Sequence, residues 1–214
     1  MENKYWLKEG LILNNKYEQR SKNSYNKKAE NYDETFDGKF TVKFKDILYK
    51  AVDIKNNDIV VDIACGNGRL LQMLTKKNSF YGYGVDISEK MIEQAKMLNP
   101  NMNFYVGGCE EIPFKDSEID VMTVCAAFHH FPNPQKFAEE AARVIKNGGD
   151  IYIAEVYLPA ILRIICNPFV RFSNAGDVKF YSPNEIISIF ENNGFVKNDI
   201  EFNGKVQLIK MKRK

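Results

Sequence analysis

The feature that most constrains this chain is a rhythm: short apolar runs alternate with stretches of about ten residues at helical spacing. "DIVVDI" is followed by "GRLLQMLTKK", "FYGYGVDI" by "SEKMIEQAKML", and "IDVMTVCAA" by "NPQKFAEEAARVI", with "NFYVGG" and "DIYIAEVYL" as further runs. Unbroken apolar runs suit strands covered on both faces, and the intervening helices are the crossovers that parallel strands require. An α/β fold with a largely parallel sheet is expected.

Both ends depart from the rhythm. "FTVKFKDILYKAV" places Phe40, Phe44, Ile47, Leu48 and Ala51 at helical spacing, a first core-facing helix. "SPNEIISIFENNGF" reads as a helix with Ser182 as N-cap, Pro183 at its first position and Gly194 as its stop. "FVKNDIEF" and "KVQLIKMK" then flank Asn203-Gly204, the strongest short signal for an antiparallel hairpin. Residues 1–40 are polar and rich in Lys, Asn and Tyr, and read as an arm packing over the domain formed by residues 41–214. Within that domain, residues 157–181 carry "LPAILRIICNPFVRF", too apolar for an ordinary loop. It reads as a lid over an apolar substrate; a homodimer surface and a membrane-touching patch are the other readings.

Composition removes several function classes. The net charge is +2, and without the tail cations Lys210, Lys212, Arg213 and Lys214 it would be −2, so no nucleic-acid-binding surface is expected. Cys65, Cys109, Cys125 and Cys166 show no C-x-x-C spacing and no clustering with the histidines, so neither a metal site nor a disulfide frame is expected. "MENKYWLKEG" lacks the apolar core of a signal peptide, and no run approaches spanning length. A cytoplasmic protein without stable membrane insertion is expected.

"VVDIACGNGRL" carries the ligand chemistry. Gly66 and Gly68 allow close backbone approach, and the helix that follows offers free N–H groups to an anion. Asp86 ends the next strand, 24 residues beyond Asp62, where a carboxylate accepts hydrogen bonds from both hydroxyls of a ribose. Asp62 would repel a pyrophosphate held beside it but suits an ammonium or sulfonium. A ribose-containing ligand with a carboxylate and a cationic centre fits all three, and S-adenosylmethionine is such a ligand.

On these residues the chain resembles the class I S-adenosylmethionine-dependent methyltransferases, and within them the small-molecule branch similar to the ubiquinone/menaquinone-biosynthesis C-methyltransferases. The likeness covers about Tyr25 to Lys212. It implies a three-layer Rossmann-like sandwich whose seven-stranded sheet has the order 3-2-1-4-5-7-6 and ends in an antiparallel hairpin. "VVDIACGNGRL" is similar to the family's first motif, with Ala64 where a glycine is often found. "YGVDIS" implies Asp86 on the ribose and Ile87 against adenine. "GGCEEIPF" resembles the adenine-contacting loop, with Gly108 in place of an acid, and implies contacts from Cys109 and Glu110. "IDVMTVCAAFHHFPNP" implies Cys125 and Ala126 beside the methionine part, and "YNKKAENYD" implies that Tyr25 and Tyr32 lie near the cofactor.

Each residue also has a structural reading. Asp62 can cap a helix, Glu110 can face water, and the two tyrosines can staple the arm. His129 and His130, the only histidines, fall where an acceptor would sit and have a pKa suited to a general base. The implied reaction is direct in-line methyl transfer to a small-molecule acceptor. A nicotinamide-dependent oxidoreductase is disfavoured by Asp62, by the lack of G-x-G-x-x-G and by the hairpin; a cofactor-binding regulatory subunit without catalysis is the other alternative.

Overall fold

The computed structural model describes residues 16–170 and 172–214. Residues 1–15 of the arm, and Arg171 within the insert, lie outside the described residues. The sheet has seven strands in the order β3-β2-β1-β4-β5-β7-β6. They are β1 (Ile59–Ile63), β2 (Tyr81–Asp86), β3 (Asn103–Val106), β4 (Ile119–Cys125), β5 (Ile145–Val156), β6 (Phe195–Asn203) and β7 (Val206–Arg213). The first five run parallel, and β7 lies antiparallel between β5 and β6. This is the expected strand order and hairpin.

The helices are α1 (Lys16–Lys28), α2 (Phe36–Ala51), α3 (Arg69–Leu74), α4 (Glu89–Leu98), α5 (Pro134–Val144), α6 (Ala160–Val170) and α7 (Pro183–Glu191). Phe44, Leu48, Leu70, Leu74 and Ile92, from α2, α3 and α4, bury against one sheet face; Phe137, Ala141, Ile186 and Phe190, from α5 and α7, bury against the other. Two caps follow the sequence reading. The Ser88 side chain accepts from Met91 N at the start of α4, and Ser182 and Glu185 form a reciprocal capping box on α7.

Three details differ from expectation. The first core-facing helix starts at Phe36, inside the segment read as arm, because Thr35 accepts from Gly38 N and caps it there. The "NGG" turn is absorbed into β5, where the register jumps between Ile119/Ile145 and Val121/Asp150 and Gly148 takes φ +81°. In the hairpin, Asn203 pairs with Val206, so Gly204 (φ +60°) and Lys205 form the two-residue loop.

Strand order reverses between β1 and β4, and in such sheets the crevice beyond those two strand ends is the binding place. Both ends turn sharply: Ala64 has φ +54° and Ala126 φ +51°, the left-handed region that non-glycine residues seldom occupy. The adjoining loops therefore splay apart at the switch point.

Candidate active site

The described part of the arm closes that crevice. α1 buries only Ser21 and is held by polar contacts. Asn26 Oδ1 accepts from Ser88 Oγ at 2.6 Å, and Lys22 pairs with Glu89, both at the start of α4. After a 3-10 turn, Ala29–Glu34, Asp33 reaches the glycine loop: it accepts from Asn67 Nδ2 at 3.0 Å and from Arg69 Nε at 3.1 Å. Those donors outweigh the burial that would raise its pKa and hold the Asp33 carboxyl below its ordinary range. Gly176, from the insert, packs against the α1 backbone; a Cβ there would lie 2.4 Å from Tyr17 O.

Beneath the arm lies a cavity of about 730 Å³, its mouth included. Of the residues singled out in the sequence, Tyr25, Tyr32, Ala64, Gly66, Asp86, Ile87, Cys109, Cys125, Ala126 and His130 all line it. Asp62, Gly68, Glu110 and His129 do not. Asp62 lies one layer deeper, 1% exposed, its Oδ1 accepting from Thr123 Oγ1 at 2.7 Å. Burial pushes its pKa up to about 7, against the Thr123 hydrogen bond and the charge of Lys45. Gly68 starts α3 and is wedged against Asn99, Ala95 and Phe104. Glu110 turns towards Lys136, 3.6 Å away.

Asp86 organises the loop. Its Oδ2 accepts from Gly66 N and its Oδ1 from Ser88 N, each at 2.8 Å. Burial raises its pKa to about 6, partly countered by those two N–H groups. A carboxylate oxygen accepts two hydrogen bonds, so each keeps a lone pair for a ligand hydroxyl. Gly66 has open space where a Cβ would sit.

The histidines separate by environment. His130 Nε2 lies 3.1 Å from Tyr25 OH at the cavity wall. Burial, and the charge of neighbouring His129, push the His130 pKa down to about 4, leaving it neutral. His129 points away: its Nδ1 is 2.8 Å from Glu155 Oε1, and Glu155 is fully buried. Burial disfavours the His129 cation, but Glu155 outweighs it and raises the pKa. Ring centroids of the pair lie 4.1 Å apart.

The arm contributes two lining residues that sequence reading missed, Glu18 and Ser21. With Tyr25 they follow an i, i+3, i+7 spacing, one face of a helix, but a polar stripe escapes a search for apolar periodicity. Phe131 and Pro132, after His130, also line the cavity. The apolar helix α6 does not: it has no buried residue, and Ile161, Ile164 and Phe169 are exposed.

A cavity at the switch point, with a glycine loop on one side and a strand-ending carboxylate on the other, is what an adenosyl cofactor requires. Residues 61–153 match the methyltransferase domain family. Over 81% of each chain, this protein is 30% identical to MJ1123, an uncharacterized protein of Methanocaldococcus jannaschii. It is 27% identical to the demethylmenaquinone methyltransferase of Thermotoga maritima, over 65% of this chain and 71% of that one. The chain belongs to the class I S-adenosylmethionine-dependent methyltransferases.

The fold agrees. The methyltransferase solved in complex with the Haloferax volcanii Trm112 activator superposes with a TM-score of 0.76 at 18% identity, over 88% of this chain and 96% of that one. Other curated relatives are matched over only about half their length. The cofactor of this methyltransferase is S-adenosylmethionine, and the donor set fits it: paired acceptors on Asp86, open backbone at Gly66 and buried acid at Asp62. No helix among the described residues is long and apolar enough to cross a membrane.

Proposed function

We propose that this methyltransferase acts on a small, largely apolar acceptor carrying an ionisable O–H or C–H group, and that His130 takes the acceptor's proton. The observation that carries the reading is the wall of the cavity: one neutral ring nitrogen, in contact with Tyr25 OH of the arm, stands among Ala126, Ala127, Phe131 and Pro132. The Thermotoga maritima relative, named for demethylmenaquinone, supports a small-molecule acceptor.

Asp86 would hold the ribose, Ile87 and Cys109 the adenine, and Tyr32 with the loop at Ala64 and Gly66 the methionine part. Bound there, S-adenosylmethionine supplies an activated methyl group that the acceptor nucleophile displaces in line from sulfur. The chain's own work is alignment and exclusion of water, with the arm as cover. A neutral imidazole accepts the proton released as the acceptor attacks. Tyr25 OH, on Nε2, orients the ring and gives way to the acceptor.

The test is incubation with methyl-labelled S-adenosylmethionine and a metabolite extract, with mass spectrometry of labelled products. Label in a small molecule supports the reading. Label only in protein or nucleic acid, or none at all, refutes it, the last favouring a regulatory subunit.

A further inference from the structure

Behind His130, on the side away from the cavity, three electron-rich atoms converge. Asp177 Oδ1 lies 3.1 Å from His130 Nδ1 and 3.6 Å from His129 Nε2. The three ligand atoms all lie within 4.8 Å of one another. We propose that His129, His130 and Asp177 form a binding site for a divalent transition-metal cation.

Four observations carry this. His130 Nδ1 is buried without a hydrogen-bond partner, although the carboxylate oxygen is 3.1 Å away. That pair does not meet hydrogen-bond geometry, so the close approach of nitrogen and oxygen is not accounted for by a hydrogen bond between them. Next, separations of 3.1 and 3.6 Å are what neighbouring ligands show around a metal bonded at about 2.0–2.2 Å. Third, Glu155 Oε1 receives His129 Nδ1, and Glu155 Oε2 accepts from His129 N at 3.2 Å. A carboxylate behind the imidazole holds one proton on Nδ1, so a metal cation would displace only the proton on Nε2; this is the usual outer support of a metal-bound histidine. Finally, the insert is anchored at this place: Val178 N donates to His129 O at 2.8 Å, which presets Asp177 against both rings.

Two imidazoles and one carboxylate suit zinc, cobalt, nickel or iron(II), and discriminate against magnesium and calcium, which prefer all-oxygen sets. Asp177 is 17% exposed at its side chain and does not line the cofactor cavity. A cation there would tie the insert to the turn that carries both histidines. It would also leave His130 with its proton on Nε2, a donor instead of an acceptor; that consequence rests on the proton-accepting reading of His130, whereas the metal site does not.

The test uses the full-length, metal-stripped protein and cobalt(II) or zinc(II) alone. Cobalt(II) should bind one per chain with visible d–d absorption, and zinc(II) should displace it. His129→Ala and Asp177→Asn should each abolish the absorption, and Glu155→Gln should weaken binding by about 10–100-fold. Because the chain has two histidines, ring-nitrogen NMR on the unaltered protein gives a second readout: zinc(II) should shift His129 Nε2 and His130 Nδ1. Absence of visible absorption, ring nitrogens unmoved by zinc(II), or binding that survives in both variants would overturn the proposal. None of these outcomes depends on methyl transfer, so the proposed reaction stands or falls separately.

Discussion

Gly66 and Gly68 lie two residues apart in one loop, both with positive φ, and the structure gives them different work. At Gly66 (φ +53°) an added Cβ meets nothing within 4 Å. At Gly68 (φ +74°) it would lie 2.8 Å from Asn99 Nδ2 and 3.1 Å from Ala95 Cβ. Alanine in a left-handed conformation costs about 1–2 kcal/mol, less about 0.5–1 kcal/mol regained because alanine is stiffer than glycine in the unfolded chain. Gly66→Ala should therefore destabilise by about 0–1.5 kcal/mol. Gly68→Ala must also displace the buried Asn99 amide, which donates to Gly68 O and Ala95 O, each at 3.2 Å. Stranding that donor adds about 1–3 kcal/mol. For a chain of this size 1 kcal/mol moves Tm by about 2–4 °C, so Gly68→Ala should melt at least about 2 °C, and up to about 12 °C, below Gly66→Ala. Binding should show the opposite order. If the proposed cofactor placement holds, the Gly66→Ala methyl enters the open space beside the cofactor and should lower S-adenosylhomocysteine affinity by 10-fold or more, on the order of 1.4 kcal/mol. Calorimetric melting and titration of both variants measure this. A Gly66→Ala protein that binds normally, or melts as low as Gly68→Ala, would refute the assignment.

Other predictions follow from the same contacts. His130→Ala should lower turnover about 100-fold while cofactor affinity stays within a few fold, checked by steady-state kinetics and titration. Asp62 has its pKa raised to about 7 by burial, so stability present below the unfolded value near 4 is lost as pH rises through 7. Asp62→Asn should remove that fall, seen as a flatter Tm between pH 4 and 8. Glu185 is held down to about 2: burial would raise it, but hydrogen bonds from Lys179 and Ser182 prevail. Its contribution is present above about pH 4.5 and lost as pH falls towards 2, so wild type should lose its Tm advantage over Glu185→Gln across that window.

Much of this was legible because the strands are bounded by residues that act locally. Ser88 and Ser182 cap the helices that follow them, and short, mostly apolar runs such as Val121–Val124 suit strands covered on both faces. The cavity-lining loop was legible for the same reason, since Gly66, Asp86 and the strand ends are placed by local backbone geometry. What escaped the sequence depends on distant partners. α1 has no apolar stripe, and it and the turn after it dock largely through Lys22, Asn26 and Asp33, whose partners lie far along the chain. His129 and His130 are neighbours, and the sequence puts His130 only slightly ahead as the base; it is the hydrogen bond between His129 and Glu155, arriving from β5, that gives them different protonation. Ala64 reads as a mild replacement for glycine, yet it holds φ +54°, a strain visible only in the backbone.

The most direct test of the central claim is a calorimetric titration of S-adenosylhomocysteine and NAD into wild type and Asp86→Ala, with Tm measured on both proteins. S-adenosylhomocysteine should bind wild type and NAD should not, and Asp86→Ala should weaken binding by about 1.5–3 kcal/mol, the range for hydrogen bonds to a charged group. NAD binding to wild type, or unchanged S-adenosylhomocysteine affinity in a folded Asp86→Ala protein, would contradict it.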